Sequence, residues 1–171
     1  MAVERVLYEE QAPVGWAFKG FWLALVAALA ALLYYLSQQA VGIESLAPGL
    51  AALGLVVLAF YWLYLMRFVA TEQALEIRLP FYSYRVPVQD ISSAELVDRV
   101  PFYIGWGVRM SLDTLYFVSQ HKQSMLVHKK SGHFKKLVLT AREPVKLMAG
   151  IQAAQRLLQE RQEQAAAEGK P

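Results

Sequence analysis

Two long stretches without charge constrain this chain more than any other feature. Residues 20–37 (GFWLALVAALAALLYYLS) contain no acid or base, and between Lys19 and Glu44 nothing ionisable occurs except Tyr34 and Tyr35. Residues 46–66 (LAPGLAALGLVVLAFYWLYLM) repeat the pattern, with Pro48 near the start, where a proline costs a helix little. A helix rises about 1.5 Å per residue, so roughly 20 apolar residues cross the ~30 Å hydrocarbon core of a bilayer. Neither stretch has the polar face of a helix packed on a soluble core. The expectation is a transmembrane hairpin over residues 20–66, with helices at about 20–37 and 46–66 and a loop at 38–45.

Aromatic residues mark the ends of both spans. Trp16 and Trp22 stand at the start of the first, Tyr61, Trp62 and Tyr64 at the end of the second, and Tyr34 and Tyr35 at the opposite side. Such rings favour the membrane interface, where an apolar body meets a polar tip. Lys19 and Arg67 flank the side that holds both termini, whereas the loop has one acid and no base. Both termini are therefore expected in the cytoplasm, with the chain in the cell membrane. A cleaved signal peptide is the rival for the first span, but residues 3–11 (VERVLYEEQ) carry three glutamates against one arginine, and such a peptide begins positive. Ala24 and Ala28, with Ala27 and Ala31, place small residues four apart, which permits self-association through the first helix.

Beyond the hairpin, the 171-residue chain has room for one domain of about a hundred residues. Residues 74–79 (ALEIRL) and 82–88 (YSYRVPV) alternate in polarity across Pro80, as half-buried strands of a hairpin do. Further strands are expected at 94–100, 107–111, 115–119, 125–129 and 134–139, about seven in all, with Gly105, Gly107, Asp113, Ser131 and Gly132 at turns. In the segment Pro87-Val-Gln-Asp90-Ile91, the proline ends a strand, Asp90 sets a turn and Ile91 enters the core. A helix at about 141–161 follows, entered through a capping box from Thr140 to Glu143, with Leu147, Met148, Ile151, Ala154 and Leu158 forming one apolar stripe. The segments are then a cytoplasmic juxtamembrane stretch at 1–19, the hairpin at 20–66, a β domain at 70–163 and a disordered tail at 164–171.

Four short motifs, in this order, carry a family resemblance: Leu7-Tyr8-Glu9-Glu10-Gln11, Arg85-Val-Pro-Val-Gln-Asp90-Ile91, Gly105-Trp106-Gly107-Val108-Arg109, and Leu137-Val-Leu-Thr-Ala-Arg-Glu-Pro-Val145. The chain resembles the small bacterial membrane proteins in which a two-helix hairpin precedes a bacterial pleckstrin-homology-like (PH-like) domain. Residues 115–130 are longer and more polar than the family pattern. The resemblance implies an α+β membrane protein, with a transmembrane hairpin ahead of a seven-stranded PH-like sandwich or barrel capped by a C-terminal helix. It also implies a binding or assembly module, with no catalytic residue to carry over.

The most conspicuous chemistry is basic. No acid occurs from Thr114 to Ala141, where Lys122, Lys129, Lys130, Lys135 and Lys136 fall, and residues 67–171 hold fifteen Lys and Arg against ten Asp and Glu. The lysines are a candidate surface for anionic lipid headgroups or an acidic protein partner, each contributing about 1 kcal/mol near a charged membrane. Lysines also guard sheet edges against pairing, and this account stays open beside the first. Trp106, between two glycines, is either part of a tight bend or a candidate interface aromatic facing bilayer or partner. Nucleic acid is not expected, because the basic run lacks interleaved aromatics. Without cysteine, thiolate chemistry and cysteine-ligated zinc are excluded. His121, His128 and His133 match no metal-site spacing, and no nucleotide-binding or hydrolase motif occurs. No metal, cofactor or catalytic residue is expected. A membrane-tethered binding or scaffold module is the expected class. The other class, a small accessory subunit of a transport or channel assembly, would call for polar groups deep in the spans, and none lies deeper than the terminal tyrosines.

Overall fold

The computed structural model describes residues 4–39 and 42–168; residues 40–41 of the expected loop and 169–171 of the expected tail lie outside them. Strand β1 (Val6–Gln11) leads into helices α1 (Trp16–Gln38) and α2 (Ile43–Tyr64). There follow β2 (Arg67–Thr71), β3 (Ala74–Leu79), β4 (Tyr82–Pro87), β5 (Ile91–Val97), β6 (Gly107–Ser111), β7 (Thr114–Val118), β8 (Ser124–Lys129), β9 (Lys136–Leu139) and helix α3 (Pro144–Glu168). The chain is thus α+β, with two apolar helices, two sheets and a C-terminal helix.

Both α1 and α2 are long and apolar enough to cross a membrane, and their apolar windows are not buried by the rest of the chain. They pack on each other where Gly49 faces Leu33; a Cβ at Gly49 would come within 2.6 Å of Leu33 Cδ2, so a larger residue there would make that methyl group move aside. Helix α1 begins four residues before the expected start and takes in Lys19, because a long charged side chain breaks an apolar count without breaking a helix. Helix α2 ends at Tyr64, two residues short of the expected end, because Met66 leaves the helix to enter the domain core, where it is fully buried.

The largest departure from the sequence reading is at the N-terminus. Residues 6–11 are no free juxtamembrane stretch: β1 runs antiparallel to β2, with Gln11 opposite Arg67 and Glu9 opposite Val69. The first sheet has the order β1-β2-β3-β4 and the second β5-β8-β9-β7-β6. The described residues thus form nine strands where seven were expected, and the domain starts ahead of the hairpin, not at residue 70. In the second sheet β7 and β9 are parallel, which makes that sheet mixed. The two sheets do not close into a barrel. They share one core, in which Phe68, Leu75 and Ile77 of the first sheet meet Phe117, Met125 and Leu139 of the second.

Helix α3 covers this core with Leu147, Ile151 and Ala154, all buried. It lies close on β1 and β2 because Gly150 has no side chain; a Cβ there would meet Tyr8 Cβ at 3.0 Å. The expected Thr140 capping box does not form. Thr140 directly follows β9 and stays bonded to the sheet: its Oγ1 accepts from the Ser119 N–H at 2.7 Å and donates to the Phe117 carbonyl. Glu10 of β1 takes the capping role from outside the helix, its carboxylate accepting from the Arg142 and Glu143 N–H groups, each at 3.1 Å. The helix starts at Pro144 and continues past 161 to Glu168, replacing the expected disorder from 164 with good helix formers (QEQAAAE) in helical geometry.

Candidate functional site

Four of the five candidate lysines come together and one does not. Lys129 ends β8 and Lys130 follows it, and Lys135 and Lys136 lead into β9 beside them, with His128 opposite Lys136. Lys122 lies in the β7–β8 connection, at the other end of the sheet. The Gly15 N–H ahead of α1 donates to the Ser119 carbonyl, whereas Lys136 pairs with Thr114 at the far end of β7. Five residues at ~3.3 Å each separate these levels, about 16 Å. The four-lysine group therefore sits at the strand ends remote from α1 and α2.

Nor are these lysines equally free. The Lys129 side chain is 9% exposed, with Nζ 3.7 Å from an Asp90 carboxylate oxygen and donating to the Tyr84 hydroxyl at 3.2 Å. Lys136 lies 3.8 Å from Asp113, and Lys130 donates to the Gln89 carbonyl at 2.9 Å. Lys129 is thus a structural cation joining the two sheets, not part of an open surface. The three histidines do not converge. His121 stacks on Phe102 with ring centres 4.2 Å apart, His128 Nε2 meets Glu95 at 3.0 Å, and His133 stands edge-on to Phe134. Among the described residues, no three His, Asp or Glu side chains form a metal-ligand group.

Trp106 is fixed by the glycines on either side, Gly105 at φ 74° and Gly107 at φ 96°, values that L side chains rarely adopt. The bend turns the indole onto α1, where its ring centre is 5.5 Å from Phe18 and 6.2 Å from Phe21. Trp106 therefore clamps the second sheet to the hairpin. Trp22 packs against Phe18 and Phe60 inside the same cluster, while Trp16, Tyr61, Trp62 and Tyr64 are exposed around it and Tyr34 and Tyr35 are exposed at the far end of the helices. Ala24, Ala27, Ala28 and Ala31 are exposed on α1.

A feature missed in the sequence reading is a groove of about 570 Å³ between α3 and the link from β4 to β5. Gln152, Gln155, Gln159 and Gln162 form one wall, and Lys130 and Arg156 supply its charge; among the described residues the lining holds no carboxylate. Next to it a recess of about 300 Å³ carries Arg85 and Arg161, already paired with Glu4 and Glu72. The signal was present as glutamines spaced three, four and three apart, one side of a helix. What covers the opposite wall is decided only by packing. No family model, curated protein or solved structure matches this chain. Its chemistry is therefore read from the geometry alone. A cleft with many amide groups and uncompensated positive charge suits an extended, acidic ligand, since carboxylates gain charge-assisted hydrogen bonds there.

Proposed function

We propose that this chain is a non-catalytic binding module, anchored by α1 and α2 across the cell membrane, with a PH-like domain and both termini in the cytoplasm. The anchor reading rests on two uncovered apolar helices joined to adjacent strands of one sheet, with Lys19 and Arg67 on the domain side. The PH-like reading rests on two sheets around one core with a C-terminal helix across it, although nine strands and a parallel pair depart from that plan.

The observation that carries the binding reading is the groove along α3, whose Lys130 and Arg156 face no carboxylate in its lining. Its place at the remote strand ends favours an acidic segment of a protein partner in the cytoplasm over the headgroups of the chain's own bilayer. The test is the full chain in lipid nanodiscs with a fluorescent hexaglutamate peptide, read by anisotropy. Binding is expected to weaken as salt rises and to be lost in Lys130→Glu with Arg156→Glu, while Lys122→Glu keeps it. Equal binding by the doubly substituted chain would refute the groove as the site.

A further inference from the structure

Around the roots of the helices the domain exposes large aromatics on two separate loops. The β3–β4 turn carries Phe81, 83% exposed, whose ring centre lies 6.4 Å from Trp62 near the end of α2. This turn reaches past the row in which Gln11, Arg67 and Arg78 lie side by side, so it extends toward the helices and not away from them. The second loop is the short turn Phe102–Ile104, where Tyr103 is 89% exposed and Phe102 is 64% exposed. Phe102 packs on Trp106, with ring centres 6.0 Å apart, and Trp106 packs on α1 at Phe18 and Phe21. One loop comes from the first sheet and stands by α2. The other comes between strands of the second sheet and stands by α1.

Scattered apolar residues on a surface need no explanation, but aromatics at one level on both flanks of an apolar hairpin do. Trp16, 88% exposed at the first residue of α1, stands at the same root of the hairpin. Tyrosine, tryptophan and phenylalanine gain most where a bilayer turns from headgroup to hydrocarbon, and basic groups such as Lys19 and Arg67 suit the phosphate layer just outside it.

The geometry points to a domain seated directly on lipid, with Phe81 and Tyr103 inserted in the headgroup region on opposite flanks of the hairpin. This inference rests on the reading that α1 and α2 span the bilayer. Contacts at the hairpin and at two loops define a plane, so the domain holds one tilt and does not swing on its tether. The groove along α3 is then presented to water at a set height.

The chain has no cysteine, so single cysteines can be introduced into the full-length protein and labelled with an environment-sensitive fluorophore. Ser83→Cys and Pro101→Cys report on the two loops, Ser131→Cys on the remote β8–β9 turn, and Ala28→Cys on the middle of α1. In nanodiscs containing lipids spin-labelled at shallow or deep positions, the two loop probes are expected to be quenched several-fold more by the shallow label. The Ala28→Cys probe is expected to respond to the deep label, and the Ser131→Cys probe to neither. Adding Phe81→Asp and Tyr103→Asp should abolish quenching at the loops and leave it intact at Ala28→Cys. Loop probes unquenched beside a quenched α1 probe would overturn the seating and keep the anchor. Loop quenching that survives the two aspartates would also overturn the role of the aromatics. An unquenched α1 probe would instead overturn the spanning reading on which the seating rests.

Discussion

Replacing residues 13–65 by Asn-Gly, so that Ala12 runs through two turn residues into Met66, is expected to give a folded domain without its helices. The Ala12 N–H already donates to the Met66 carbonyl at 2.8 Å, and Gln11 is opposite Arg67, so the two ends are placed as the flanks of a two-residue hairpin turn. By contrast, a fragment of residues 71–163, one residue shorter than the β domain expected from sequence, lacks β1 and all of β2 but Thr71. It loses Met66 and Phe68, both fully buried. Removing a buried phenylalanine costs ~3–5 kcal/mol and a buried methionine ~2–5 kcal/mol, together about 5–10 kcal/mol against a typical total stability of ~5–15 kcal/mol. The fragment is expected to remain unfolded, and the joined chain to show one cooperative transition by circular dichroism and elute as a compact species. Because Trp106 loses Phe18 and Phe21 in the joined chain, a version with Trp106→Ser guards against aggregation. A fragment of 71–163 that melts cooperatively at the temperature of the joined chain would refute the claim that β1 and β2 complete the core.

Three further outcomes follow from individual contacts in the same joined domain. Glu10→Ala removes the acceptor for two N–H groups at the start of α3 and should cost about 1–2 kcal/mol in chemical denaturation. Burial first, and then the hydrogen bond it donates to Glu10, hold the Tyr8 phenol above its ordinary value of 10.0. A folded value above the unfolded one means that this stability is fully present below about pH 10 and is lost as pH rises through the folded value. A melting series at rising pH should show that loss, and Tyr8→Phe should flatten it. Lys129→Ala strands Asp90, whose side chain is only 13% exposed, and should cost about 3 kcal/mol, whereas Lys122→Ala should stay within about 0.5 kcal/mol; equal melting temperatures would refute the structural role of Lys129.

Local patterns made part of this architecture legible. An uncharged run of about twenty residues has few folded forms, so both long apolar helices could be read directly, and the alternation in 74–79 and 82–88 marked β3 and β4. Pro87 and Ile91 act as their types dictate, the proline ending β4 and Ile91 being buried, whereas Asp90 ends the short turn with its carboxylate directed to Lys129 and not to the turn backbone. Residues 6–11 and 67–71 escaped notice for different reasons. The first reads VLYEEQ, with adjacent acids in place of alternation, because Glu9 pairs with Arg67 while Glu10 turns to α3. The second is buried at four successive positions and merges with the apolar span before it.

The sequence by itself determined the two apolar helices, the polarity of their flanks, the excess of positive charge after Arg67 and the apolar stripe of α3. Each is a property of neighbouring residues along one element, governed by helix or strand period. Tertiary structure alone decided that β1 joins β2 across the hairpin, that Lys129 is spent on Asp90, that Trp106 rests on α1 and that glutamines of α3 face Lys130. Those relations join segments distant in the chain, and burial in the shared core selects among pairings to which local periodicity is blind.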